Sequence, residues 1–237
     1  MLGTRKIAIP NRLLAALPRK DYQRLHPLLE PVSLQFGDVL YEAGARIHHV
    51  YFPNDCLVSL LTSVDSQRAA EVGLVGTEGM VGIPVALGIT VSPFLAVVQG
   101  AGTALRMKTA DLQREVVRST ALQRELFLFT HMLMTQVAQT AACNRFHVVT
   151  ERLARWLLMT RDRVSSNEFV LTQDFLARML GVRRVGVSEA ATKLKKRELI
   201  AYNRGTITIL DAKGLAAAAC SCHGLVKAMY AEARVHA

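Results

Sequence analysis

Arg184, Ser188, Thr192, Lys195 and Lys196 recur at steps that line up one side of a helix, and Val187, Ala191 and Leu194 mark its other side at steps of four and three. Guanidinium, hydroxyl and ammonium groups presented together are donors suited to base edges and phosphate oxygens. The elements that must hold them follow from the flanking residues of Leu171–Leu210. Thr172 is placed to cap a first helix, Asp174 adds an acid to its first turn, and Leu176, Met179 and Leu180 follow at helical spacing until Gly181 ends the run. After the second helix, Leu199–Tyr202, the turn Asn203-Arg204-Gly205 and the alternating Thr206–Ile209 predict a two-stranded hairpin. Helix, glycine turn, helix and hairpin make the pattern of a winged helix-turn-helix, whose second helix enters the major groove.

Charge supports that reading. Arg145–Leu210 carries 13 Lys/Arg against 6 Asp/Glu, a net of +7 out of +10 for the whole chain, with a pI near 9.8. A basic surface concentrated on such a unit is what phosphate neutralisation requires. An anionic membrane would also attract a basic chain. One charge-free stretch, between Glu78 and Arg106, has the length of a membrane span, yet glycines and prolines from Gly79 to Gly102 break it into short runs that fit sheet interior.

Other reactive residues carry weaker signals. Cys220-Ser221-Cys222-His223 places two thiols and an imidazole within four residues, a weak metal candidate without a fourth ligand, so no metal and no cofactor are expected. His48 and His49 are neighbours on an expected strand and face opposite sides of it. Four scattered cysteines, Cys56, Cys143, Cys220 and Cys222, form no disulfide framework, which fits a reducing cytoplasm. No Gly-rich phosphate loop, Ser/His/Asp arrangement or paired acid–base carboxylates occur, so catalysis is not expected.

At 237 residues the chain can build two modest cores. Residues 11–30 read as short amphipathic helices broken at Pro18 and Pro27. From Val32 to Lys108, nine of the 15 glycines separate short Val-, Leu- and Ile-rich runs, predicting an antiparallel barrel or roll. Thr109–Val117 reads as a helix capped by Thr109. A long helix follows over about Ser119–Phe146, and Val148–Arg163, with Trp156, forms another. On the long helix Leu122, Leu126, Phe129 and Leu133 recur at coiled-coil spacing, predicting a homodimer interface that runs on to Val137, with packing on the chain's own roll as the alternative. The expected class is α+β, divided into a β-roll with short N-terminal helices (1–118), a dimerisation helix (119–146) and a winged helix-turn-helix with a C-terminal helical extension (147–237).

This order of elements resembles the Crp–Fnr superfamily of bacterial transcription regulators over nearly the whole chain. Phe36–Gly44 looks like the family's opening strand pair, Gly79-Met80-Val81-Gly82 sits where its phosphate-binding cassette begins, and Thr172–Gly181 with Arg183–Leu194 matches its helix-turn-helix. The resemblance implies a cyclic-nucleotide-binding-like roll, but the cyclic-AMP chemistry is missing. The cassette glutamate position holds Ile83, Ser92–Gln99 runs through the phosphate segment without an arginine, and the long-helix hydroxyl pair falls at Val137-Ala138. A buried phosphate without a cation keeps its desolvation cost. Gly82, Ile83, Ser92, Val137 and Ala138 are therefore expected to form a degenerate effector pocket that does not take cyclic AMP. Another ligand, such as cyclic di-GMP or an apolar molecule, is left open.

For DNA the resemblance places Arg184 on the family's first base-reading arginine, whereas Val185 stands at its glutamate and Glu189 at its later arginine. Base contacts are expected from Arg184, Val185, Ser188 and Glu189, on an operator unlike the family's TGTGA half-site. Phosphate contacts are expected from Thr172, Arg183, Thr192, Lys193, Lys195, Lys196 and Arg204. Glu189 pairing with Lys193 within the helix is the alternative for that acid. Double-stranded DNA and a second copy of the chain are the expected partners, RNA polymerase and a small-molecule effector further candidates. The competing class is a small-molecule or protein-interaction module whose helix-turn-helix serves association.

Overall fold

The computed structural model describes residues 9–63, 69–164, 166–203 and 205–235. The chain begins with α1 (Arg12–Ala15) and α2 (Arg19–Leu25), followed by a 3-10 turn at His26–Leu28. Five strands come next: β1 (Glu30–Leu34), β2 (Val39–Tyr41), β3 (His49–Pro53), β4 (Leu57–Ser63) and β5 (Ala69–Val75). A 3-10 turn at Ile83–Leu87 leads into β6 (Leu95–Gly100) and β7 (Gly102–Lys108). Helices α3 (Thr109–Arg118), α4 (Thr120–Phe146) and α5 (Val149–Val164) follow. The remainder is β8 (Glu168–Val170), α6 (Gln173–Leu180), α7 (Arg184–Lys196), β9 (Ile200–Asn203), β10 (Thr206–Ile209), α8 (Ala212–Ala218) and α9 (Cys222–Val235).

The expected roll is present as two antiparallel arrangements with strand orders β1-β7-β3 and β2-β6-β4-β5. Glu30 stands opposite Arg106 and Leu34 opposite Gly102, while β3 takes the other edge of β7 with His49 opposite Lys108. Strands β4 and β6 are buried along most of their length, as a charge-free sequence requires. No helix among the described residues is long and apolar enough to cross a membrane.

By its internal contacts the chain forms two compact units, one of residues 1–58 and 75–130, the other of residues 59–74 and 131–237. The division passes through β4, β5 and α4. In the first unit the amide of buried Asn11 donates to the Pro53 and Gly79 carbonyls while its oxygen caps α1. Asp21 accepts from Ser119 and Arg24, and Arg24 also reaches Glu115 at 2.5 Å. Gly79 lies against the ring of Phe129, where a Cβ atom would come within 1.9 Å of the aromatic edge.

Two expectations change. Thr109 does not cap α3. Its hydroxyl donates to the Ile47 carbonyl at 2.7 Å, and Lys108 occupies the cap position. The expected dimer seam is also largely the chain's own core. Leu122, Leu126, Phe129 and Leu133 are buried within the single chain and have no surface left for a second copy, and Val137 is half-buried. The uncovered side of α4 instead carries Phe127, 53% exposed, and Met134, 67% exposed.

Candidate nucleic-acid interface

The helix-turn-helix unit is built on α5, α6 and α7. Thr172 caps α6 by accepting the Phe175 amide at 3.1 Å, and Leu176, Met179 and Leu180 turn inward. Gly181 leaves the helix in the left-handed region (φ 62°), donating to the Ala177 and Arg178 carbonyls, and the Val182 amide also returns to Ala177. A side chain at Gly181 would be strained in that conformation and would press on Ala70 at 3.0 Å. The sharp turn releases the chain at Arg183, the N-cap residue of α7. At the other end of α7, Glu198 takes the left-handed conformation (φ 56°), unusual without glycine, and the Leu199 amide closes back on Leu194.

Val187, Ala190, Ala191 and Leu194 bury the inner side of α7. Its outer side presents Arg184, Val185, Glu189, Thr192, Lys193, Lys195 and Lys196 as exposed residues, with Ser188 half-exposed. Val185 is 61% exposed and so accessible to a base edge. The Thr192 hydroxyl donates back to the Ser188 carbonyl at 2.8 Å. Glu189 and Lys193 form no ion pair among the described residues, so both keep free ends. Arg183 and Thr172 are exposed as well. Arg204 lies outside the described residues.

Arg184 is not free-swinging. Its Nε meets Gln173 Oε1 at 3.3 Å and Asp174 Oδ1 at 3.7 Å, both on the first turn of α6. Thr172, Gln173, Asp174, Arg184, Tyr202 and Gly205 together line a shallow open recess beside the start of α7. Tyr202 donates to the Leu171 carbonyl at 3.1 Å; burial raises its phenol above the ordinary value, with Arg184 opposing. Sequence reasoning missed Gln173 and Asp174 as neighbours of Arg184. The signal was their place directly after the Thr172 cap, which turns them toward the start of the next helix.

The wing also has a third strand. β8 pairs with β10, putting Phe169 opposite Ile207, and β10 pairs with β9, putting Ile207 opposite Tyr202. Behind the helix-turn-helix, Trp156 packs edge-on to Phe175 at 6.4 Å and donates to Glu71 at 3.1 Å. Arg152 and Arg155, counted in the basic excess, face inward at 8% and 6% exposure, so the outward charge is carried by the remaining cations. Arg152 donates to the Leu180 carbonyl and thereby ties α5 to the end of α6.

In the roll, Gly82 is left-handed (φ 99°) and Ile83 is buried. The Ser92 hydroxyl is engaged by its own turn, donating to the Phe94 carbonyl at 2.6 Å and accepting the Phe94 amide at 3.2 Å. Val137 and Ala138 lie on α4, half-buried and exposed respectively. Near the C-terminus, Cys220 and Cys222 are buried, but His223 turns away from them and meets Asp162 at 3.2 Å.

Comparison with known proteins agrees with this geometry. Residues 151–218 match the model of a Crp-like helix-turn-helix domain. No curated protein is found as a sequence relative. Among solved structures, FixK2 from Bradyrhizobium japonicum is similar with a TM-score of 0.68 at 14% identity, over 81% of this chain and 98% of that one. A putative Crp/Fnr-family transcriptional regulator from Eubacterium rectale gives 0.69 at 15% identity, over 87% and 96%. The cyclic-di-GMP-responsive global regulator CLP of Xanthomonas campestris gives 0.67 at 14% identity, over 82% and 100%. The chain therefore carries a Crp-like helix-turn-helix domain at residues 151–218 within the fold of the Crp/Fnr regulators.

Proposed function

We propose that the protein is a sequence-specific, DNA-binding transcription regulator that acts as a homodimer on a palindromic operator and does not respond to cyclic AMP. It is read as a regulator rather than an enzyme, with 1–118 as the effector-type roll, 119–146 as the dimerisation helix and 147–237 as the reading head. The observation that carries the reading is α7, which buries Val187, Ala190, Ala191 and Leu194 while its outer side is exposed, apart from half-exposed Ser188, and carries only one acid, Glu189. Arg184, Val185, Ser188 and Glu189 are assigned to base edges. An arginine pairs bidentately with guanine, a carboxylate accepts from cytosine, and a valine meets a thymine methyl. Thr172, Arg183, Thr192, Lys193, Lys195, Lys196 and Arg204 are assigned to phosphates, which fix register without reading sequence.

Dimerisation is assigned to the uncovered side of α4. Phe127, His131, Met134 and Ala138 are exposed and recur at steps of four, three and four, the spacing of a two-helix seam. A two-fold dimer sets its recognition helices about one duplex turn apart and makes the operator palindromic. Failure to bind cyclic AMP is supported by Ile83 at the glutamate position, by the Ser92 hydroxyl spent within its own turn, and by the lack of any Lys or Arg between Glu78 and Arg106.

The test is duplex-DNA binding by fluorescence anisotropy over a salt series. Affinity for random duplex should fall steeply as salt rises, and Lys196→Ala should flatten that dependence by about one unit of slope. Binding that ignores salt, or is unchanged in both Lys196→Ala and Arg184→Ala, contradicts the reading.

A further inference from the structure

The structure gathers a cluster that sequence spacing does not reveal. Cys143 stands near the end of α4 and His147 one turn later, where its amide still donates to the Cys143 carbonyl at 3.1 Å. Cys220 and Cys222 bracket the entry to α9. The thiols of Cys143 and Cys220 are 3.5 Å apart although 77 residues separate them in sequence. Cys222 Sγ is 3.5 Å from His147 Nδ1. All four ligand atoms lie within 4.8 Å of one another. We propose that Cys143, His147, Cys220 and Cys222 form a tetrahedral site for one zinc ion, which clasps the start of α9 to the end of α4.

Geometry, ligand chemistry and surrounding charge agree. With zinc–sulfur bonds of about 2.3 Å and a zinc–nitrogen bond of about 2.0–2.1 Å, a tetrahedron sets its ligand atoms about 3.6–3.8 Å apart. The Cys143–Cys220 and Cys222–His147 separations of 3.5 Å lie just below that and the remaining pairs fall within 4.8 Å, so an ion at the centre needs side-chain shifts of up to about 1 Å. An iron–sulfur cluster divides its ligands among two or more irons and needs a wider spread than this. Three thiolates and one imidazole match the soft preference of zinc, and no carboxylate or open ligand position invites magnesium or calcium.

The second layer is built for an anionic centre. Gln139 Nε2 donates to Cys222 Sγ at 3.0 Å. Three thiolates around a divalent ion leave one net negative charge, and two buried cations stand near it. Arg155 acts on the Cys143 thiol, and Arg152 is influenced by both Cys143 and Cys220. Arg155 holds Thr140 through Nη2 at 3.2 Å, while its buried Nε has no hydrogen-bond partner among the described residues. A buried guanidinium with a spare donor is costly unless an anion sits close by; Arg155 acts on the Glu71 carboxyl as well as on the Cys143 thiol, and a thiolate centre adds to that balance. The three cysteines also form one buried cluster. Outer-layer donors of this kind orient ligands and tune metal affinity.

The test uses the full chain, purified under reducing conditions with zinc present. One zinc per chain is expected, released when a mercurial titrates the thiols. X-ray absorption on the untouched protein should show three sulfurs at about 2.3 Å and one nitrogen at about 2.0–2.1 Å. Cobalt in place of zinc should give thiolate charge-transfer bands and the intense visible bands of a tetrahedral ion. Gln139→Leu, which leaves all four ligands in place, should weaken zinc binding about 10–100-fold. Cys56→Ser and His223→Ala should keep full stoichiometry. Less than half a zinc per chain, a shell rich in oxygen, retention of the metal in Cys143→Ser, or a Cys143–Cys220 disulfide that forms with zinc in excess would each overturn the assignment.

Discussion

Glu71 offers the sharpest energetic test of how the reading head is braced. Its carboxyl is buried; Ser59 donates to one oxygen at 2.7 Å and the Trp156 indole to the other at 3.1 Å. Burial pushes it from 4.5 up to about 7, against the opposing pull of those two bonds and of Arg155 and Arg163. The folded chain therefore keeps a proton that the unfolded chain has lost, and stability falls as pH rises from 4.5 to 7, then levels. At about 1.4 kcal/mol per pH unit, the loss across that window is about 3 kcal/mol. Glu71→Gln removes it, because an amide can still accept from Trp156 and meet Ser59 without ionising. Urea unfolding from pH 4.5 to 8, followed by the fluorescence of Trp156, the only tryptophan, reads both proteins. The stability difference should move by about 3 kcal/mol in favour of Glu71→Gln as pH rises. Parallel profiles, or a difference that moves the other way, would refute the argument.

Other perturbations separate the remaining assignments. Arg184→Ala should relax preference at one base pair per half-site at a cost of about 1–3 kcal/mol, measured on matched and mismatched duplexes. For the proposed homodimer, Phe127→Glu with Met134→Lys should give a monomer in analytical ultracentrifugation while leaving the circular dichroism spectrum unchanged; a dimer that persists in the variant would contradict the assignment of the interface to this side of α4. Gly79→Ala should destabilise the chain by about 1–3 kcal/mol in denaturant titrations, since the new methyl group meets the buried Phe129 ring. Thr172→Ala removes the cap of α6 and should cost about 0.5–2 kcal/mol by the same method.

Much of this architecture was legible from local chemistry. Pro18 separates the first two short helices, Thr172 and Gly181 bound α6, and Val187, Ala191 and Leu194 identify the inner side of α7. These signals work because caps, turns and helical periodicity act within a few residues. The long helix was harder. Apolar residues occur on more than one side of it, and periodicity names a stripe without naming what covers that stripe. Leu122, Leu126 and Phe129 thus matched a dimer seam although they fill the chain's own core. β8 was missed because three residues are too few to show alternation, and its pairing with β10 is non-local. Net charge treated Arg152 and Arg155 as surface groups, while helix α5 turns both inward. Cys220 and Cys222 were visible as a pair; Cys143 and His147 could join them only through folding.

Whether α7 reads duplex DNA decides the function of this protein. Selection of bound sites from a random duplex library, run in parallel with Arg184→Ala, measures this most directly. The native protein should enrich inverted repeats with half-sites about one helical turn apart, about 10–10.5 base pairs centre to centre, and the variant should lose preference at one pair in each half while keeping the spacing. Recovery of unenriched sequence by the native protein, or an unchanged motif in Arg184→Ala, would contradict the assignment.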